Sequence, residues 1–108
     1  MRCEVNMQIR IQHGKHTLTI YLQGELDECT AEAARAKIDD ATSQPGISGV
    51  IFDLSGLTFM DSTGIGVLIG RYKRLKARNI VLCVRNPSSA ADRIFKMAGL
   101  YEIMPKVK

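Results

Sequence analysis

The sequence predicts an α/β fold in which helices pack on one mixed, mostly parallel β-sheet. Three observations carry this. Two segments near the N-terminus alternate apolar and polar residues as a half-buried hairpin does. Two later runs are short and almost continuously apolar. The stretches between and after them repeat apolar residues at helical spacing.

Met7 to Gln12 and Thr17 to Gln23 alternate in polarity around His13-Gly14-Lys15, which gives a β-hairpin with one buried face. From about Cys29 to Thr42 the chain is rich in Ala, Glu, Arg and Lys. Ala34, Ile38 and Ala41 there share a helical face behind a cap at Asp27 or Thr30, and Ser43-Gln44-Pro45-Gly46 stops the helix. Val50-Ile51-Phe52-Asp53-Leu54 then reads as a strand buried on both faces, and Ile80 to Val84 as a second such strand. Between them Ile65, Leu68, Ile69, Tyr72 and Leu75 mark a helix over Ser62 to Ala77, completing a parallel crossover unit. Asn86-Pro87-Ser88-Ser89 makes a turn whose Ser88 or Ser89 caps a helix carrying Ala91, Ile94, Phe95 and Ala98, and Gly99 ends it. Tyr101 to Met104 is placed to add a short edge strand before Pro105.

At 108 residues the chain supports one core, and a single domain over 1–108 is expected. The 45% apolar and 24% charged content excludes a disordered or fibrous chain. No apolar run approaches the roughly 20 residues of a membrane helix, and Met1 to Asn6 lacks the apolar centre of a signal peptide, so a cytoplasmic protein is expected. Cys3, Cys29 and Cys83 are odd in number, widely spaced and without a metal-ligand pattern, which points to free thiols and no bound metal. Fifteen Lys and Arg against eleven Asp and Glu give a net charge of +4, much of it in Arg71, Lys73, Arg74, Lys76 and Arg78. With only 6% aromatic residues, that run reads as a solvated helix face and not as a nucleic-acid surface.

The informative stretch opens the second helix: Phe59-Met60-Asp61-Ser62-Thr63-Gly64-Ile65-Gly66-Val67-Leu68-Ile69-Gly70. Asp, Ser and Thr favour helix N-termini because a side-chain oxygen accepts an otherwise unpaired backbone N–H, so capping alone accounts for the hydroxyls. It does not account for Gly66 and Gly70, each of which costs about 1 kcal/mol against Ala in a helix interior. Either close packing on the sheet or close approach of a partner compensates. At 3.6 residues per turn, Thr63, Gly66, Val67, Gly70 and Arg74 fall along a face of little bulk beside the core-facing set. A partner that reads Ser62 in folded context is expected there.

Asp61 to Lys73 resembles the phosphorylation-site motif of bacterial anti-sigma factor antagonists, small proteins built on a STAS domain. Gly24-Glu25-Leu26-Asp27 is similar to their motif after the second strand, and Arg93 to Leu100 to their late helix and its ending. The likeness runs from about Met7 to Met104 and is strongest to antagonists of the sporulation sigma-F pathway, with the general-stress sigma-B antagonists as near relatives. It implies a single STAS domain and a regulator without enzymatic activity or cofactor. The unphosphorylated form, a monomer when free, would bind an anti-sigma factor that is also a serine kinase carrying ADP or ATP, freeing the sigma factor. The kinase would then phosphorylate Ser62 and release it, and a serine phosphatase would reverse the step. Asp27, Asp61, Thr63, Gly64, Gly66, Val67, Gly70 and Arg74 are the residues expected at the partner contact. Capping of the first helix is an equal reading for Asp27.

Two rival functions are weighed against this. A hydrolase-like triad would need Ser62 with His13 or His16 as base and Asp27 or Asp61 as orienter, but no Gly-x-Ser-x-Gly elbow surrounds Ser62. A STAS module that serves as a scaffold without switching would be expected beside partner domains.

Overall fold

The computed structural model describes residues 5–108. Among these residues the chain runs β1 (Met7–His13), β2 (Thr17–Leu26), α1 (Ala31–Thr42), β3 (Gly49–Met60), α2 (Ser62–Ala77), β4 (Val81–Arg85), α3 (Ser89–Ala98), a 3-10 turn (Leu100–Glu102) and β5 (Lys106–Val107). The strands form one sheet in the order β1-β2-β3-β4-β5. β1 and β2 pair antiparallel as the expected hairpin, and every other neighbouring pair is parallel.

The register explains why one face of the sheet is core. Leu18, Val50 and Leu82 lie in one row across β2, β3 and β4, with Ile20, Phe52 and Val84 in the next row, and all of them are buried. α1 packs on β2 and on α2, and α2 in turn lies against β3 and β4. The other face of the same strands is polar in part. Arg10, Tyr21, Asp53 and Arg85 stand in a single row across β1 to β4. Asp53 is buried there because it accepts from the Ser55 hydroxyl at 2.7 Å, Asn86 Nδ2 at 3.3 Å and Arg85 Nε at 3.3 Å. The central strand is therefore wholly apolar on one face, while the other carries the half-buried Ile51 beside the buried Asp53. An almost continuous apolar run had hidden that alternation.

β3 has twelve residues, well past the Leu54 at which its apolar run ends. Of its residues only Gly49–Asp53 pair with β4, and the entry to α3 takes over beyond them. The Ser88 N–H donates to the Leu54 carbonyl at 3.1 Å, and the Ser88 hydroxyl donates to that of Leu57. The same hydroxyl oxygen caps α3 by accepting from the Ala91 N–H at 3.1 Å. This connection lays α3 against β3, near the start of α2.

Two expectations need correction. Tyr101 to Met104 forms no strand: Leu100–Glu102 is a 3-10 turn that buries Leu100, and the edge strand is Lys106–Val107, beyond Pro105. Cys83 is a free, half-buried thiol on β4, whereas Cys29 is disulfide-bonded, which wide spacing along a sequence gives no means of reading. Cys3 lies outside the described residues.

Candidate functional site

The site is built where β2 and β3 end together. Leu26 pairs with Met60, so the residues that follow each strand, Asp27 and Asp61, emerge side by side. The Asp61 N–H donates to the Leu26 carbonyl at 3.4 Å, tying the two strand ends to one another. The chain then turns directly into α2.

Asp61 is the N-cap of that helix. Its backbone is extended, at φ −107° and ψ −170°, and its Oδ1 accepts from the Gly64 N–H at 3.0 Å. Ser62 is thus the first helical residue and is relieved of capping. Its side chain is exposed, and its hydroxyl makes no hydrogen bond to any of the described residues. Ser62 thus presents its hydroxyl to solvent at the positive end of a sixteen-residue helix.

The glycines of α2 divide into two kinds. Gly64 is buried, and a Cβ there would overlap the Leu26 carbonyl oxygen and come within 2.8 Å of Met60 Cγ. Gly64 therefore sets how closely α2 approaches the end of β2. Gly66 and Gly70 are different: a Cβ at either would meet nothing within 4 Å. Internal packing does not require them, which removes close helix-to-sheet packing as their reason.

The face of α2 turned to solvent is rotated from the one the spacing suggests. Gly64, Val67, Leu68, Arg71 and Leu75 are the buried residues of the helix. Ser62, Gly66, Lys73 and Arg74 are exposed, while Thr63 and Gly70 are half-buried beside them. Val67, 1% exposed, and Gly64 are thus withdrawn from the expected contact surface. The reason is α1, which packs along one flank of α2 and extends the core stripe toward Val67 and Arg71. The same packing corrects the basic run: Arg71 is buried and ion-paired with Asp39 of α1 at 2.9 Å, whereas Lys73, Arg74, Lys76 and Arg78 are solvated as expected.

Asp27 is half-buried and holds the loop that leads into α1. Its Oδ1 accepts from the Cys29 N–H at 2.9 Å and the Thr30 N–H at 3.1 Å. Thr30, the N-cap residue by position, makes no side-chain capping bond and donates its hydroxyl to the Glu25 carbonyl at 2.9 Å instead. Gly24, at the other end of the motif, has φ +104°, and a Cβ there would overlap the Asn6 carbonyl oxygen. β2 bulges at this point, shifting its register on β3. Gly24 to Asp27 is thus a rigid support for the Ser62 loop. Thr58 adds to it by donating its hydroxyl to the Gly24 carbonyl at 3.0 Å.

No hydrolytic triad forms. His16 is joined through its carbonyl to Ser48, just before β3 begins, whereas Ser62 follows the end of that strand. At a rise of about 3.3 Å per residue, the twelve residues of β3 hold the two ends about 36 Å apart.

A STAS domain model matches residues 7–108, and the chain is 35% identical over 101 residues to the anti-sigma F factor antagonist of Paenibacillus polymyxa, covering 94% of this chain and 86% of that relative. The chain belongs to the STAS family of anti-sigma factor antagonists. It is also 42% identical over 89 residues to the anti-sigma F factor antagonist of Lysinibacillus sphaericus, covering 80% of this chain and 74% of that one. Solved structures of SpoIIAA, an anti-sigma factor antagonist, share the fold at 32% identity. The unphosphorylated form gives a TM-score of 0.77 over 94% of this chain and 89% of that one, and the phosphorylated form of the Bacillus protein 0.71 over 94% and 92%.

One neighbourhood of this STAS domain is not apparent in its sequence. A cleft of about 320 Å³ opens beside Ser62, walled by Met60 and Ile65 on one side and by Ile94, Met97 and Ala98 of α3 on the other. Met97 is 81% exposed. The signal was present in α3, where Met97 falls off the Ala91 and Phe95 core stripe, yet nothing in the sequence brings α3 to the start of α2.

Proposed function

We propose that this STAS protein works by partner switching. Unphosphorylated, it binds an anti-sigma factor serine kinase and so frees a sigma factor, of the sigma-F type that serves sporulation. The observation that carries the reading is the face headed by Ser62: a hydroxyl relieved of capping, followed one and two turns later by glycines whose missing side chains the fold itself does not require. Two substitutions to Ala would make the helix more stable at no internal cost, so the bare backbone serves a surface that comes from outside. Thr63, Arg74 and the neighbouring Asp27 and Asp61 complete the contact. Gly64 and Val67 contribute only by placing the helix.

Phosphorylation of Ser62 adds about −1.5 to −2 charge and three acceptor oxygens beside two carboxylates. The helix N-terminus accommodates a phosphate within the free protein. A docked kinase, whose nucleotide is itself anionic, would have to desolvate and face that charge, and about 1.4 kcal/mol already weakens binding tenfold. Release therefore needs no change of fold. In this scheme the kinase carries ADP while bound and uses ATP to modify Ser62, a serine phosphatase restores the hydroxyl, and the switch itself is a cytoplasmic monomer that binds and does not catalyse.

A pull-down from lysate of the source cell tests the reading. The wild-type chain should retain an anti-sigma kinase, acquire one phosphate on Ser62 when ATP is added, and then release the kinase. Retention of a sigma-B-type kinase would move the chain to the general-stress branch. Stable retention with no phosphate on any residue would make it a non-switching scaffold and sink the proposal.

A further inference from the structure

A second feature of α2 lies toward its other end. Arg71 is 7% exposed, and it borders a cleft of about 300 Å³ between α1 and α2, with Asp39 and Thr42 on one side and Arg74 and Arg78 on the other. Nε lies 2.9 Å from Asp39 Oδ1, but its N–H is not directed at that oxygen. Both Nε and Nη1 are shielded from water and have no hydrogen-bond acceptor among the described residues. Arg74 Nε shares the same carboxylate oxygen at 3.6 Å. One carboxylate thus answers two guanidinium groups, with Arg78 at the rim and Arg35 near enough to act on Arg71 electrostatically.

The positive charge is in excess there. Burial lowers the Arg71 pKa, Asp39 opposes that, and Arg74 and Arg35 lower it further. A buried charged donor without an acceptor is costly unless something supplies one. The cations bordering the cleft are all arginines, whose planar donor forks match the oxygens of a phosphate-type anion as a lysine does not. Arg74, with its side chain 65% exposed, is free to turn inward.

We infer that this cleft binds a tetrahedral oxyanion of the inorganic phosphate class, held by Arg71 from the base and by Arg74 and Arg78 from the rim. The anion supplies the negative charge that Asp39, shared between Arg71 and Arg74, does not provide in full. From Ser62 to Arg74 the helix rises about 18 Å, so this site is separate from the hydroxyl that heads the same helix.

The experiment is a titration of the full chain with inorganic phosphate at constant ionic strength in chloride, followed by the arginine Nε–H and backbone amide NMR signals. Saturable shifts centred on Arg71, Arg74 and Arg78 are expected. The Arg74→Gln/Arg78→Gln variant, altered only at exposed positions, should bind about tenfold more weakly. Asp39→Asn should bind more tightly, because a competing carboxylate is gone, and phosphate should raise its melting temperature by more than it raises that of the wild type. Methyl phosphate is the second probe: preference for the ion assigns a free anion and preference for the ester a phosphorylated small molecule, and either supports the site. Shifts that never saturate and match those caused by added chloride, or an affinity unchanged in Arg74→Gln/Arg78→Gln, would overturn it.

Discussion

Asp61 caps α2 on behalf of Ser62: its Oδ1 takes the Gly64 N–H at 3.0 Å, and the serine one residue on keeps its hydroxyl exposed. Capping, which would occupy the hydroxyl of a Ser at a helix start, falls here to the residue before it. Ser62→Ala should therefore leave stability within about 0.5 kcal/mol of wild type, while Asp61→Ala should lose about 1 kcal/mol with its cap. Urea denaturation reads both. In a kinase assay Ser62→Ala should bind the partner and take up no phosphate, and Ser62→Asp should bind weakly. A stability loss for Ser62→Ala as large as that for Asp61→Ala would mean that the serine caps after all.

The two kinds of glycine in α2 predict opposite outcomes for one chemical change. At Gly66 an added methyl meets open space, so Gly66→Ala should stabilise the protein by about 0.5–1 kcal/mol and yet weaken partner binding. At Gly64 the same methyl would overlap the Leu26 carbonyl oxygen, so Gly64→Ala should destabilise the protein by about 1–3 kcal/mol. Thermal melts and binding isotherms on the two variants separate a glycine kept for the fold from one kept for a surface. If Gly66→Ala bound the partner as tightly as wild type, the docking face would lie elsewhere.

The sequence carried the fold well where the signal was local. Alternation in Met7 to Gln12 set the hairpin, and Gly99, at φ +68°, ends α3 in the left-handed conformation its position implies. What escaped was set by neighbours distant in sequence. Arg71 looks like one more cation of a solvated face until α1 packs beside α2. Val67 looks like part of a thin flank until the same contact buries it. The cleft at Met97 depends on where β4 stops short of β3, a difference of strand length that no periodicity encodes.

The polar row across the open sheet face makes stability depend on pH. Burial raises the Asp53 pKa, but the Ser55 hydroxyl and N–H, the Asn86 amide and Arg85 together outweigh it and hold the carboxyl below its ordinary value. A carboxyl with a depressed folded pKa contributes stability above its unfolded value of about 3.9, and that contribution is lost as pH falls through the folded value. Wild-type stability should accordingly decline below about pH 4. Asp53→Asn should flatten part of that limb and cost about 1–3 kcal/mol at pH 7, because Arg85 loses its carboxylate. Asp92, held low chiefly by the Tyr101 hydroxyl and by Lys96, accounts for a further part of the limb. An acid limb identical in Asp53→Asn and wild type would exclude Asp53 as a contributor.

Asp27 offers the test that separates support from contact. Its Oδ1 accepts the Cys29 and Thr30 N–H groups, at 2.9 and 3.1 Å, so Asp27→Ala should lose about 1 kcal/mol and loosen the loop beside Asp61. Asp27→Asn keeps an oxygen that can accept the same two bonds and removes only the charge, so it should melt close to wild type. If the charge itself meets the partner, Asp27→Asn should weaken kinase binding about tenfold with stability preserved, and the loss should shrink as salt is added. If Asp27→Asn binds like wild type and only Asp27→Ala is impaired, the residue acts by holding the loop, and the contact passes to Asp61, Thr63 and the open glycines.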